Sequence, residues 1–178
     1  MTKKKEQLHV KNAIVEDDET GNDMFARLEV ENASDTTLHF IAVARQVLYD
    51  PATKELTVRL TDSALAELPI QPPFEVPPPI AAVDPHDKRE IVVKLPRFVT
   101  RVEPGPQIVQ LPAHEAQSVT IEVGWSDKAF YRDPREKRGG GSMRSQLKNW
   151  ERGVAKTQTG EVKKKGKPAE PKEPRTSD

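Results

Sequence analysis

The side chains that could support acid–base or metal chemistry are scattered along this sequence. The four histidines, His9, His39, His86 and His114, show neither the i, i+4 pairing nor the short clusters that metal sites use. His86 and His114 each precede a carboxylate and a strand-like run, so their two turns would form a metal or acid–base site if they met at one end of a sheet. A hydrolase or metalloenzyme is therefore a hypothesis that depends on this one pair.

Other residue patterns that identify enzymes are missing from the sequence. With no cysteine, the chain has no disulfide, zinc–thiolate site or thiol nucleophile. The glycines at 139–141 follow Arg138 and lack the Lys-Ser/Thr ending of a phosphate-binding loop, and no nucleophile-elbow motif is present. We therefore predict a protein that is not an enzyme and that needs no cofactor or metal.

Charge divides the chain into two unlike parts. Residues 1–127 carry 13 basic and 21 acidic side chains, whereas residues 128–178 carry 15 basic and 7 acidic ones. This division indicates an acidic body and a basic arm, which either folds back on the body or meets another polyanion. The sequence shows neither a signal-peptide pattern nor the roughly 20 apolar residues of a membrane span, so we expect a cytoplasmic protein.

Alternation of apolar and polar residues is the dominant pattern before residue 124. Such a period of two is typical of strands with one buried face. Asp50 and Pro51 begin a short polar connection between two β-rich runs, which predicts a hairpin. Two similar units, spaced by 28 residues, each place a histidine-containing turn before a strand. The residues predicted to face the core are Leu8, Val10, Ile14, Met24, Ala26, Leu28, Val30, Ile91, Val93, Leu95, Val119, Ile121 and Val123.

Several short strands with turn signals and almost no helical period predict an all-β fold of two packed antiparallel sheets. The strand end Leu28-Glu-Val-Glu-Asn32, followed by Ser34-Asp35 and an apolar strand, resembles the immunoglobulin-like or fibronectin type III-like superfamily. The resemblance implies an antiparallel β-sandwich and carries no catalytic or binding residues with it. We expect a flexible N-terminus over residues 1–7 and the sandwich over residues 8–131.

The arm after the sandwich contains the one helical pattern of the sequence. After a glycine-rich linker at 132–141, Met143, Leu147, Trp150 and Val154 would share one face of an amphipathic helix over residues 142–154. Three interpretations of this face stay open: docking on the protein's own sandwich, insertion into a groove of a partner, and a membrane interface.

The last residues, 155–178, are rich in lysine and proline, and we expect them to be disordered. The sequence thus predicts a non-enzymatic protein–protein interaction or accessory module that docks through Met143, Leu147, Trp150 and Val154. The alternative is an adaptor whose basic tail, with Lys163, Lys164 and Lys165, binds nucleic acid or another acidic surface. The sequence identifies neither the partner nor the oligomeric state.

Overall fold

The computed structural model describes residues 7–18, 20–61, 79–105 and 107–128, together with the backbone of residues 154–156 and 160–163. Within these residues the chain forms twelve strands and one 3-10 turn at Ala113–Glu115, so the predicted all-β class is confirmed. The strands are β1 (Leu8–Asp17), β2 (Met24–Asn32), β3 (Leu38–Ile41), β4 (Gln46–Asp50), β5 (Glu55–Leu60), β6 (Ile80–Val83), β7 (Lys88–Leu95), β8 (Val99–Glu103), β9 (Gln107–Leu111), β10 (Ser118–Ser126), β11 (Val154–Lys156) and β12 (Gly160–Lys163).

Two antiparallel pairs join strands that are consecutive in the chain, and one of them is the hairpin predicted at Asp50. β1 and β2 pair antiparallel from Leu8 opposite Asn32 to Asp17 opposite Met24. β4 and β5 form the predicted hairpin, and the Asp50 carboxylate accepts a hydrogen bond of 2.9 Å from the backbone N–H of Ala52 in its turn. This local capping by an aspartate is the usual reason for Asp at the start of such a turn.

The prediction that Ile14 faces the core is wrong, because β1 contains a bulge. The register with β2 shifts between Lys11 and Ile14, and Asn12 between them has a φ of 53°. The extra residue changes the phase of the alternation. As a result Ala13 and Val15 face the core, while Ile14 is only partly buried on the opposite face.

The main sheet follows the strand order β4-β5-β10-β12-β1-β2-β7. β5 and β10 run parallel, β2 and β7 run antiparallel, and β11 pairs with the C-terminal half of β10. The last two residues of β10, Trp125 and Ser126, leave this ladder and pair with β3, which in turn pairs with β6. β10 therefore joins the main sheet to the β3–β6 pair.

β8 and β9 form a separate two-stranded antiparallel sheet. Its inward residues Val99 and Leu111 are buried, whereas Val102 and Ile108 lie opposite each other and are 72% and 71% exposed. Buried residues from the main sheet, the β3–β6 pair and this hairpin belong to one hydrophobic cluster. The described strands thus share one core.

A buried asparagine ties two connections of the fold together. Asn32, at the end of β2, is 0% exposed, and its Nδ2 donates to the carbonyl oxygens of Thr36 at 2.8 Å and of Val83 and Asp84 at 3.1 Å each. Its Oδ1 accepts hydrogen bonds from the backbone N–H and the hydroxyl of Ser34. The asparagine after the Leu-Glu-Val-Glu run therefore holds the β2–β3 loop against the connection between β6 and β7.

Candidate strand-binding site

His86 and His114, which the sequence suggested as a shared metal or acid–base site, lie apart in the fold. His86 Nε2 lies 2.8 Å from Asp35 Oδ1 in an exposed turn just before β7. His114 donates its backbone N–H to the carbonyl of Arg97, just after β7, and its ring contacts Phe98 edge-on with centroids 5.1 Å apart. Because a strand rises about 3.3 Å per residue, the length of β7 separates the two histidines by roughly 25 Å. The hypothesis of a shared His86–His114 site is therefore wrong.

The remaining histidines also lie on separate strands. His9 is opposite Glu31 in the β1–β2 pair, and His39 is opposite Ala82 in the β3–β6 pair. In the part of the chain that the structure describes, no group of three or more His, Cys, Asp or Glu side chains is arranged to hold a metal ion.

The residues of the predicted docking helix fall in two places. Met143, Leu147 and Trp150 lie outside the described residues, so their role stays a prediction. Val154 is the first residue of β11 and lies opposite Gly124 in β10, and its role in docking also stays a prediction. The predicted linker, residues 132–141, also lies outside the described residues.

One strand of the arm, β12, joins the main sheet between two strands of the body. β12 pairs antiparallel with β10 and parallel with β1, so Glu161 lies between Ser118 on one side and Ile14 on the other. Among the described residues, no ladder joins β1 directly to β10. β12 therefore lies between β1 and β10, in a position that we call the strand cleft, and its backbone pairs with a strand on either side.

The register of the arm matches its residues to the two faces of the sheet. Ala155 is paired with Val123, and Val162 is paired with Val15, so an apolar position of the arm is in register with each of these two buried residues. Gly160 lies opposite a third buried residue, Val119. This correspondence with the core residues is the pattern of a half-buried strand.

The arm's lysines lie opposite acidic residues on the other face. Lys156 is opposite Glu122 of β10, and Lys163 is opposite Glu16 of β1. Glu122 is mostly buried and accepts a hydrogen bond of 3.1 Å from Arg59. Directly opposed residues of opposite charge favour a strand pair. The backbone register thus pairs two lysine positions of the arm with two glutamate positions of the body.

Glu16, which borders the strand cleft, forms part of a group of ion pairs on β1, β2 and β7. Arg27 lies 2.9 Å from Glu90 and 3.6 Å from Glu16. The hydrogen bond to Glu90 and the nearby Glu16 raise the pKa of the Arg27 guanidinium, which stays charged. The outward face of β1 and its neighbours therefore presents alternating charges next to the arm.

Gly124 brings the backbone of β10 close to Thr61, the residue that follows β5. A Cβ on this glycine would lie 2.8 Å from the hydroxyl oxygen and 3.0 Å from the Cβ of Thr61. Val154 is registered opposite the same glycine. A side chain at 124 has no room there without movement of Thr61.

Comparisons with known proteins leave the interpretation to the geometry, because no family model and no curated protein matches the chain. None of the helices among the described residues is long and apolar enough to cross a membrane.

The sequence did not predict the strand cleft because the composition of the arm is that of a lysine-rich tail. A local signal does exist: Val154, Thr157, Thr159 and Val162 are β-branched residues, which favour strands. The partners of this segment are thirty or more residues away in the sequence, so periodicity alone does not identify them.

Proposed function

We propose that this protein is a non-enzymatic protein–protein interaction module in which a body of immunoglobulin-like sandwich type binds an extended strand in the cleft between β1 and β10. The observation that carries the proposal is the position of β12, which has a hydrogen-bonded neighbour on either side. Strand addition of this kind gives affinity through the main chain and specificity through alternate side chains.

The sandwich part of the proposal is supported by how the sheets share their residues. The main sheet and the β3–β6 pair contribute to one hydrophobic cluster, and β10 passes from one to the other. Two sheets that enclose a core and exchange a strand at a bend are a recurrent arrangement of β-sandwiches.

In the isolated chain the arm itself occupies the strand cleft. A partner would enter by presenting an extended segment with the same alternation, an apolar residue opposite Val15 and a basic residue opposite Glu16. Met143, Leu147 and Trp150 precede the strand part of the arm, and they remain candidates for further contact with that partner.

The second candidate function, binding of an acidic surface by Lys163, Lys164 and Lys165, also has a specific observation in its favour. Lys163 is in register with Glu16 of β1, which supports a contact between the lysine run and acidic residues. This favours an acidic protein surface over nucleic acid, since base stacking would call for aromatic residues that the tail lacks.

A labelled peptide of residues 154–165 tests the proposed function with the full-length chain. Val162→Pro in the chain removes a backbone donor at a central strand position, while Val162→Thr keeps a β-branched residue and serves as the matched control. We expect the peptide to bind the Val162→Pro chain more tightly than the Val162→Thr or unaltered chain, whose arms block the cleft. Fluorescence anisotropy measures the three affinities.

A peptide that itself carries Val162→Pro separates strand pairing from charge attraction. We expect this control peptide not to bind, and we expect the unaltered peptide to keep most of its affinity in about 1 M salt, where the Debye length is about 3 Å. Equal binding of both peptides, lost in salt, would refute the strand cleft and support the acidic-surface alternative. A chain with Lys156→Glu and Lys163→Glu weakens the arm without proline and repeats the test if the Val162→Pro chain does not fold.

A further inference from the structure

We propose that the arm is exchanged between two copies of this chain, so that β11 and β12 of one copy fill the strand cleft of the other. The inference rests on the strand cleft of the proposed function and names its occupant as a second molecule of the same protein. The exchanged pair would contain every strand contact of the single chain, made between molecules rather than within one, as in domain swapping.

The connection between β10 and the arm is long enough to favour exchange between two molecules. β10 ends at Ser126, and Val154 lies opposite Gly124, so the two strands meet as antiparallel neighbours. Neighbours of this kind need only about two to five connecting residues. The chain instead uses residues 127–153, and so many residues can reach at most roughly 90 Å. A connection of this length is far longer than a direct return to β10 requires.

The charges of the arm and of the cleft residues are also complementary in sequence. The basic arm is matched to the acidic residues of β1 and β10 at Lys163 opposite Glu16 and at Lys156 opposite Glu122. Each copy therefore carries two glutamate positions in the cleft and two lysine positions in the arm that are in register with them. Two copies that exchange arms satisfy both clefts at once in a closed, two-fold symmetric dimer with no unfilled strand edge at β1 or β10.

Protein concentration decides between the single chain and the exchanged pair. Because both forms contain the same ladders, the arm's own cleft competes only through its effective concentration, which is on the order of millimolar for a tethered segment. We expect single chains in dilute solution and exchanged dimers as the protein concentration approaches that range.

The absence of cysteine allows the exchange to be trapped by a disulfide between paired positions. Ser118 and Glu161 are directly opposed across β10 and β12, and such pairs have the Cα separation that a disulfide needs. A chain with Ser118→Cys, carrying a mass tag, is mixed at high concentration with an untagged chain carrying Glu161→Cys and oxidised. The control replaces Ser118→Cys by Val92→Cys, an exposed position on β7, three strands away from β12.

We expect the Ser118→Cys and Glu161→Cys chains to form a disulfide-linked heterodimer about tenfold or more faster than the control pair, since pairing holds the two sulfurs within bonding distance. The rate should rise with the product of the two protein concentrations. A single chain that carries both substitutions reports on its own cleft. If it closes its internal disulfide while the mixed chains match the control, exchange is refuted and the cleft stands; if neither disulfide forms, both proposals are refuted.

Discussion

Replacement of Asn32 by aspartate tests the buried polar centre of the fold with a change of one atom type. The Asn32 amide nitrogen faces the carbonyl oxygens of Thr36, Val83 and Asp84, and a carboxylate oxygen at its place has no hydrogen to donate to them. The Oδ1 atom keeps its bonds from Ser34, so the variant isolates the loss on one side of the amide.

The magnitude follows from the number of hydrogen atoms involved. The amide has two, so two full hydrogen bonds to buried acceptors are lost, and each unsatisfied buried group costs about 1–3 kcal/mol. We therefore expect Asn32→Asp to lower the free energy of unfolding by about 2–5 kcal/mol at neutral pH. For a chain of this size that corresponds to a fall in Tm on the order of 10 °C.

The same variant acquires a pH dependence of known sign. Burial and the facing carbonyl oxygens disfavour the charged form, so the pKa of the introduced carboxyl is raised in the folded state. A raised folded-state pKa means that stability is greatest below the ordinary aspartate pKa of about 3.9 and falls as the pH rises through the folded-state value. The loss caused by Asn32→Asp should therefore be smaller at acid pH than at neutral pH.

Thermal unfolding followed by circular dichroism at several pH values measures both effects. The matched control is Asn12→Asp, which makes the same chemical change at an exposed position whose φ of 53° suits either residue. We expect the control to change stability by less than about 0.5 kcal/mol. Equal Tm values for Asn32→Asp and Asn12→Asp would refute the role given to the buried amide.

Three further predictions concern other parts of the structure. Gly124→Ala should cost about 1–3 kcal/mol in urea unfolding, because the new Cβ would lie 2.8 Å from a threonine hydroxyl, and an unchanged midpoint would contradict that close approach. The double variant Val102→Thr and Ile108→Thr should stay within about 0.5 kcal/mol of the original chain, since both side chains are largely exposed, and a larger loss would mean that they pack. The hydrogen bond from the Ala52 backbone lowers the pKa of Asp50 below 3.8. The ionised Asp50 therefore stabilises the fold above that pH, and this stabilisation is lost as the pH falls. Asp50→Ala should flatten the acid side of the plot of unfolding free energy against pH, and an unaltered plot would refute this.

Local residue patterns were sufficient for the strands whose partners are close in sequence. Met24, Ala26, Leu28 and Val30 are all buried as their alternation predicted, and the turn that starts at Asp50 forms where its residues indicated it. The strands β7 and β10 also follow their histidine-containing turns, with the predicted apolar residues inside. In each case a period of two and a turn signal act within a few residues.

The features that escaped prediction depend on contacts distant in sequence or on a single irregular residue. The bulge at Asn12 reverses the faces of Ile14 and its neighbours, and periodicity alone does not reveal an extra residue. β8 and β9 were not predicted, although Pro104-Gly105 between two β-rich runs is a turn signal. β12 escaped prediction because its order comes from pairing with β1 and β10 and not from its own apolar content.

Hydrogen exchange of the full-length chain, followed by mass spectrometry, tests the insertion of the arm most directly. We expect the amides of residues 154–156 and 160–163 to exchange as slowly as those of β10, because these short strands complete the middle of the sheet. Val162→Pro should release this protection and increase exchange along the facing edges of β1 and β10. Exchange of these arm segments at the rate of an unprotected chain, with β1 and β10 unaffected by Val162→Pro, would contradict the insertion.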